Sequence, residues 1–382
     1  MEEKPVRIAV VGLGVVGASA ARALARGGAR VTVFERTAPG AGTSGTSYGW
    51  INSHRKSPRD YHHLNVAGMA EHERLRETGC DWYVHSGLLE WATDDASRER
   101  LDANVGQLGE YGYPVERITR ARAAGLAPDV LIPSEVTDLV WYPSEGYALP
   151  VALLARLWGE ARDLGAELRC PAEVVAVEPA AGGVRVHRAN AEPERFDRVV
   201  LAVGRWTQQL TESIEPTVPM VGPEDPASPG LLAYTAPLPA RIPFPVITPT
   251  LNFRPDGAGR LLLHALDLNQ RPEAEEQFVE EVLERLRAVV RGAEHARIDR
   301  VNLGLRSLPA DGHTVAGPDT SGHIYILATH SGVTLGPLLG RLAAQEILGG
   351  EPAPELAAFR PARFTDLTAM APLTPARHAG EQ

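Results

Sequence analysis

Residues 6–17 read Val6-Arg-Ile-Ala-Val-Val-Gly12-Leu-Gly14-Val-Val-Gly17, and this stretch decides the fold. Val6–Val11 has the make-up of a strand buried on both faces of a parallel sheet. The three glycines follow at once. Small residues from Ala18 to Ala25 then read as a helix closed by Gly27-Gly28, and Arg30–Phe34 reads as a second strand with Glu35 at its end. In such a unit Gly12 permits the tight turn, Gly14 lets backbone approach a pyrophosphate, and Gly17 lets helix and strand pack closely. The helix start at Val15 and Val16 turns its positive dipole end toward the phosphates. Glu35 stands 18 residues past Gly17, where its carboxylate can take both hydroxyls of a ribose. Strand, turn, helix and acid together make a dinucleotide-binding βαβ unit.

Two further stretches favour FAD over NAD. Glu35-Arg36 leads into Gly40-Ala-Gly-Thr43-Ser44-Gly-Thr46-Ser47, a loop with many hydroxyl and amide groups for a long cofactor. Far downstream, the strand Ile324–Ala328 runs into Thr329-His330-Ser331-Gly332-Val333-Thr334 and a new helix near Pro337. Its backbone amides suit the flavin end of the same molecule.

Between these landmarks the chain alternates in character. Pro150 opens an amphipathic helix carrying Leu153, Leu154, Leu157 and Trp158, ended by Gly165. Glu173–Val177 and Val184–Arg188 read as a hairpin through Gly182-Gly183, and Phe196–Val203 as another buried strand. Residues 215–255 carry eleven prolines, which predicts edge strands and loops. Pro272 then starts a helix with Glu273, Glu275 and Glu276 in its first turn and Phe278, Val282, Leu286 and Val289 as its apolar stripe. The fold class expected is α/β: a Rossmann-type FAD-binding domain with an interleaved antiparallel-sheet (α+β) substrate domain. Segments 1–75, 146–215 and 301–365 fall to the first, 76–145 and 216–300 to the second. Residues 366–382 read as a frayed tail.

Composition narrows the partners. A chain of 382 residues, 44% apolar and 23% charged, suits two packed globular domains. Its net charge of −10, without a Lys/Arg run, argues against a nucleic-acid partner. Two distant cysteines, Cys80 and Cys170, point to a reducing, cytoplasmic setting and leave no cysteine-based metal site. No apolar stretch is long enough for a membrane span, and the acidic start leaves no room for a signal peptide. His62 and His63 are adjacent on a helix and face different ways, so no metal is expected.

With these motifs in order, the sequence resembles the D-amino-acid oxidase superfamily of FAD-dependent oxidoreductases over nearly its whole length. The segments that carry the resemblance are the glycine turn with Glu35-Arg36, Glu145-Gly146, Val174-Val175, Val199 to Trp206, Arg254-Pro-Asp-Gly, Gly304-Leu305-Arg306 with Asp311-Gly312, and Thr329 to Gly332. The resemblance implies backbone contacts from Val174 to adenine and a lining role for Gly204 and Trp206. It also implies a cradle for the flavin pyrimidine at Gly332, Val333 and Thr334. Members with covalent flavin carry a cysteine shortly after Gly-Leu-Arg; here Leu308-Pro309 stands there, so non-covalent FAD is expected.

Arg306 is the first candidate on the substrate side, since resembling oxidases often clamp the substrate carboxylate with an arginine after Gly-Leu. A planar guanidinium suits that bidentate task, and the plain alternative is an arginine tying down an interface acid. Asn52, His54 and Arg55 follow the flavin loop, and His330 precedes the Ser331-Gly332 turn; all four are catalytic candidates. His264, Tyr142 and Tyr147 are candidates for the substrate pocket. The reaction implied is oxidation of the C–N bond of an amino acid or small amine, hydride passing to flavin N5 and the imine hydrolysing to a carbonyl. A single glycine turn leaves no nicotinamide domain, so electrons leave to O2 or to a quinone or carrier. Two alternatives stay open: an FAD-dependent 2-hydroxy-acid dehydrogenase, and a flavin-binding subunit without turnover. A flavin monooxygenase is disfavoured by the missing late Gly-Asp pair. Substrate identity, stereochemistry and oligomeric state are not fixed by the sequence.

Overall fold

Arg7–Val11 stands inside a six-stranded sheet ordered Val315–Pro318, Ile324–Ala328, Arg198–Leu201, Arg7–Val11, Arg30–Phe34, Glu167–Arg169. All neighbours pair in parallel except Val315–Pro318, which runs antiparallel to Ile324–Ala328. The computed structural model describes residues 4–79, 81–269 and 275–366. Ile8, Ala9, Val10 and Val11 are buried, because both faces of this sheet are covered. On one face the helix Val15–Arg26 packs between Pro150–Asp163 and Gly332–Gly349. A Cβ on Gly340 would lie 2.4 Å from the Ser19 carbonyl carbon, so the first and last of these helices meet backbone to backbone. On the other face lies the antiparallel sheet Val174–Ala180, Gly183–Arg188, Glu194–Phe196, whose first two strands form the expected hairpin.

The second large sheet has eight strands, ordered Ile298–Leu305, Pro229–Thr235, Leu261–His264, Asn252–Pro255, Val246–Ile247, Leu88–Trp91, Leu139–Tyr142, Glu116–Arg117. Its only parallel pairing joins Val246–Ile247 to Leu88–Trp91. The helix Glu275–Val289 buries Phe278, Val282, Leu286 and Val289 against it, the stripe expected from the sequence. The Pro272 start, Glu273, Cys80 and the tail from 367 lie outside the described residues. The α/β class with a Rossmann-like sheet and a separate antiparallel system is thus borne out.

Two expectations need correcting. The proline-rich stretch does not supply edge strands: Pro229–Thr235 and Asn252–Pro255 both lie inside the sheet. Their prolines stand at the first and last strand positions, where a missing N–H leaves the central ladder intact. The expected division at 300/301 falls within Ile298–Leu305, which runs whole in the antiparallel sheet. A third, small sheet sets Gly146–Ala148 between Trp50–Ile51 and Tyr83–Val84, tying the chain after residue 145 to the stretch that follows the flavin-side loop. Among the described residues no helix is long and apolar enough to cross a membrane.

Candidate functional site

Two cavities open beside the C-terminal ends of the parallel strands, where open α/β sheets bind their ligands. The first, of about 380 Å³, runs from the glycine turn past Glu35 and Val174 to His330 and Val333. Of the cofactor-side residues named from sequence, all line it except Gly17, sealed behind the turn, and Thr334, which faces the second cavity.

The three glycines are required for different reasons. Gly12 has φ +95°, and a Cβ there would lie 2.5 Å from the Ala202 carbonyl oxygen. A Cβ on Gly17 would lie 2.0 Å from the Gly12 carbonyl oxygen. At Gly14 the fold itself objects only through the Ser44 hydroxyl, 2.9 Å away at the end of a short side chain. Clearance for a ligand beside the helix start is the remaining reason for glycine there, and the Val15 amide meanwhile donates to that Ser44 hydroxyl at 3.0 Å. The Glu35 carboxylate accepts from the backbone amides of Leu13 and Thr37, both at 2.9 Å. These bonds fix its orientation and leave acceptor capacity for ribose hydroxyls. The guanidinium groups of Arg36 and Arg205 both pack on the Trp206 indole, 4.2 and 3.9 Å from its ring centre. Ser307 also lines this cavity and has a buried hydroxyl oxygen without a hydrogen-bond partner. The donor set and clearance fit an extended dinucleotide.

The second cavity, of about 510 Å³, lies between the loop 43–58 and the eight-stranded sheet. Leu232, Asn252, His264 and Arg306 reach it from that sheet and the residue just after it, and Asn52, Lys56, His330 and Thr334 from the nucleotide side. His330 lines both cavities and so marks their junction. The loop is clipped to its surroundings: Thr43 donates to the Leu305 carbonyl at 2.7 Å, and Thr334 to the Trp50 carbonyl at 3.0 Å.

Arg306 donates from Nη1 to the carbonyls of Ala227 and Pro229 at 2.9 and 2.8 Å. It makes no ion pair with any described residue. Desolvation therefore draws its pKa down to about 10, since no acid compensates. Gly230 makes room for it: a Cβ there would stand 3.3 Å from Nη2. His264 is pushed down to about 3 by burial and by Arg306, and His330 well below its ordinary value by burial, Lys56 and Arg306. Both imidazoles are neutral at physiological pH. Tyr48, Asn252 and His330 each present a buried polar atom without a hydrogen-bond partner, namely Oη, Oδ1 and Nδ1.

Asn52, His264, Arg306 and His330 thus share the cavity. His54, Arg55, Tyr142 and Tyr147 do not line it. Arg55 has φ +58°, a left-handed turn that sends neighbouring side chains to opposite sides. Asn52 and Lys56 reach the cavity, whereas Arg55 pairs with Glu90 and His54 lies fully buried, stacked 4.4 Å from Tyr142. Tyr142 donates to Glu90 at 2.8 Å, and Tyr147 packs 5.4 Å from the Arg254 guanidinium. Glu145 organises this layer. Its carboxylate accepts from the amides of Ser53 and His54 at 3.1 and 2.9 Å and from the Trp50 indole and Tyr113 hydroxyl, both at 3.1 Å. The fifth donor is His54 Nδ1 at 2.7 Å. Burial opposes its ionisation, but His54 and the amide donors hold its pKa below the ordinary carboxylate value.

Sequence reasoning missed Lys56, Tyr48 and Asn252. Lys56 and Tyr48 adjoin residues it singled out; nothing local marked Asn252. Among the described residues no group of three or more His, Cys, Asp or Glu side chains could hold a metal.

Known proteins agree with this architecture. The chain is 26% identical over 359 residues to a glycine oxidase of Bacillus licheniformis, covering 89% of this chain and 92% of that protein. It is 27% identical over 381 residues to a glycine oxidase of Geobacillus kaustophilus, covering 92% and 95%. The crystal structure of glycine oxidase from Geobacillus kaustophilus superposes with a TM-score of 0.81 at 24% identity, covering 94% of this chain and 99% of that one. L-proline dehydrogenase from P. horikoshii gives 0.80 at 22% identity, covering 94% and 98%. Residues 7–346 match the DAO model, FAD dependent oxidoreductase, and the chain belongs to that family.

Proposed function

We propose that this enzyme oxidises the C–N bond of an amino acid held by its carboxylate on Arg306, with non-covalent FAD as the resident cofactor. One observation carries the reading: a guanidinium lines the second cavity, held by two backbone carbonyls and by no acid among the described residues. That arrangement supports a ligand clamp over an interface ion pair, since the guanidinium keeps donors for an anionic ligand beyond those given to the two carbonyls. When bound, FAD supplies the acceptor for the hydride that leaves the carbon beside the nitrogen. The protein's own share is placement and exclusion of water. Arg306 fixes one end of the substrate, and Asn252 Oδ1 offers an acceptor to an amine N–H. The amine reacts in its neutral form, having left its proton to solvent on binding, and His264 and His330, held uncharged, take no part in that transfer. The resulting imine is released to hydrolysis, and the electrons pass to O2 or to a quinone or carrier.

The test is anaerobic mixing with D- and L-amino acids, N-methyl amino acids and 2-hydroxy acids. Bleaching of the flavin band near 450 nm (roughly where the oxidised cofactor absorbs) by amino acids alone is expected. Bleaching by 2-hydroxy acids alone would replace this reading with the dehydrogenase alternative. The binding mode has its own check. Leu308 and Pro309 occupy the stretch after Gly304-Leu305-Arg306, and Cys170 lines neither cavity. Acid precipitation is therefore expected to release all the yellow colour; flavin that stays with the pellet would contradict non-covalent binding.

A further inference from the structure

The helix that begins at Gly332 contains a proline, Pro337. In an α-helix the Val333 carbonyl accepts from the amide of residue 337, and proline has no amide hydrogen to give. Val333 is buried, so an unmet carbonyl there would be costly. The donor comes from a different helix. His72, on Arg59–Arg76, donates from Nε2 to the Val333 carbonyl at 2.9 Å. Its side chain is fully buried, and burial draws its pKa down to about 4, so the ring is neutral at physiological pH and carries one proton. Nε2 faces a carbonyl and therefore holds that proton. Nδ1 is left buried without a hydrogen-bond partner among the described residues.

His72 is one of three contacts along one face of its helix. The hydroxyls of Tyr61 and Ser331 are hydrogen-bonded at 2.9 Å, and a Cβ on Gly68 would stand 2.8 Å from the Thr334 carbonyl oxygen. Positions 61, 68 and 72 recur at helical spacing, so this helix is pressed along the first turn of its neighbour. That turn begins where the Leu335 amide donates to the Ser331 carbonyl. The amides of Gly332, Val333 and Thr334 thus have no acceptor within the helix and form its positive end. Gly332 and Val333 line the first cavity, Val333 and Thr334 the second.

We propose that His72 is a positioning residue for the flavin: it supplies the hydrogen bond that Pro337 withholds from Val333, and so keeps the amides of Gly332, Val333 and Thr334 in place for the cofactor. This inference rests on the FAD reading above and on the cradle expected at those three residues. Reduction adds negative charge to the pyrimidine half of a flavin, and a fixed positive helix end favours that charge. His72 therefore sets how readily the cofactor takes up electrons, although it lines neither cavity.

The experiment measures the midpoint potential of the FAD-loaded full chain and its affinity for sulfite, which adds to flavin N5 and leaves the same negative charge. His72→Leu is expected to weaken sulfite binding about tenfold and to lower the potential by about 30 mV, the two-electron equivalent of that factor. His72→Gln, whose amide can donate, is expected to recover much of both. Pro337→Ala restores an amide hydrogen at 337, so in that background His72→Leu is expected to have little effect. Unchanged potential and sulfite affinity in His72→Leu overturn the proposal, as does an equal loss in the Pro337→Ala background. If His72→Leu does not retain FAD, retention regained with Pro337→Ala supports the proposal and continued loss overturns it. Failure of the underlying cradle looks different: Gly332→Ala, whose nearest contact in the fold would be an ordinary 3.7 Å, would then leave FAD affinity, potential and sulfite affinity as they are.

Discussion

Arg306→Leu is expected to lower kcat/KM for the amino acid that reduces the flavin by about 10²–10⁴. The figure follows from losing two hydrogen bonds to a charged carboxylate, each worth about 1.5–3 kcal/mol, with about 1.4 kcal/mol per factor of ten. Substrate affinity should carry much of the loss, since the carboxylate is bound alike before and during hydride transfer. The fold should survive. Leucine leaves the Ala227 and Pro229 carbonyls without their guanidinium donor, at about 1–3 kcal/mol each, but it also removes an uncompensated charge. Arg306→Lys keeps the charge without the fork and should fall between the two. An unchanged substrate affinity in Arg306→Leu, with flavin retained, would remove Arg306 from the substrate site.

The largest stability effect is expected at Glu145. Glu145→Ala withdraws one acceptor from five donors and leaves His54 in a space with no access to water. Each donor left buried without an acceptor costs about 1–3 kcal/mol, and together they amount to a large share of the total stability of an ordinary domain. Glu145→Gln keeps the shape but turns an amide NH2 toward groups that are themselves donors, so it should recover only part of the loss. The urea midpoint of the apoprotein reports this directly. A shift worth less than about 1 kcal/mol for the alanine variant, by comparison with ordinary surface substitutions, would show that the donors find other partners. The consequence reaches the site, because Trp50, Ser53 and His54 are the points by which the segment bearing Asn52 and Lys56 is held.

The difference between these two positions shows what a sequence makes legible. The βαβ unit could be read because its logic is local: Gly12, Gly14, Gly17 and Glu35 lie within one supersecondary unit, and turn, helix start and acid have fixed spacing. The stripe of Glu275–Val289 was readable for the same reason, through its helical period. Glu145 had no such signature. Its partners lie 32 to 95 residues away in the chain, and no period links them. The wall segment misled in another way. Asn52, His54 and Arg55 all belong to the right stretch, but alternation fails where Arg55 takes a positive φ, a conformation that few residues other than glycine adopt. Lys56, rather than His54, therefore reaches the cavity. The prolines of 229 and 255 were read as excluding central strands, whereas their placement at strand ends carries no such penalty.

The backbone contact between Ser19 and Gly340 also bears on how the molecule is made. The glycine turn and its helix leave the ribosome well before the helix that backs them. Between them lie some three hundred residues, so their meeting is a long loop closure. Its entropic cost grows only slowly with length, but it must be met before the contacts form. A growing chain therefore carries the glycine-turn side of the cofactor site before the segment from Thr329 that completes it has been made. A ligand that binds only the closed form cannot start that process but holds its product, which makes flavin supply a determinant of how much chain persists folded.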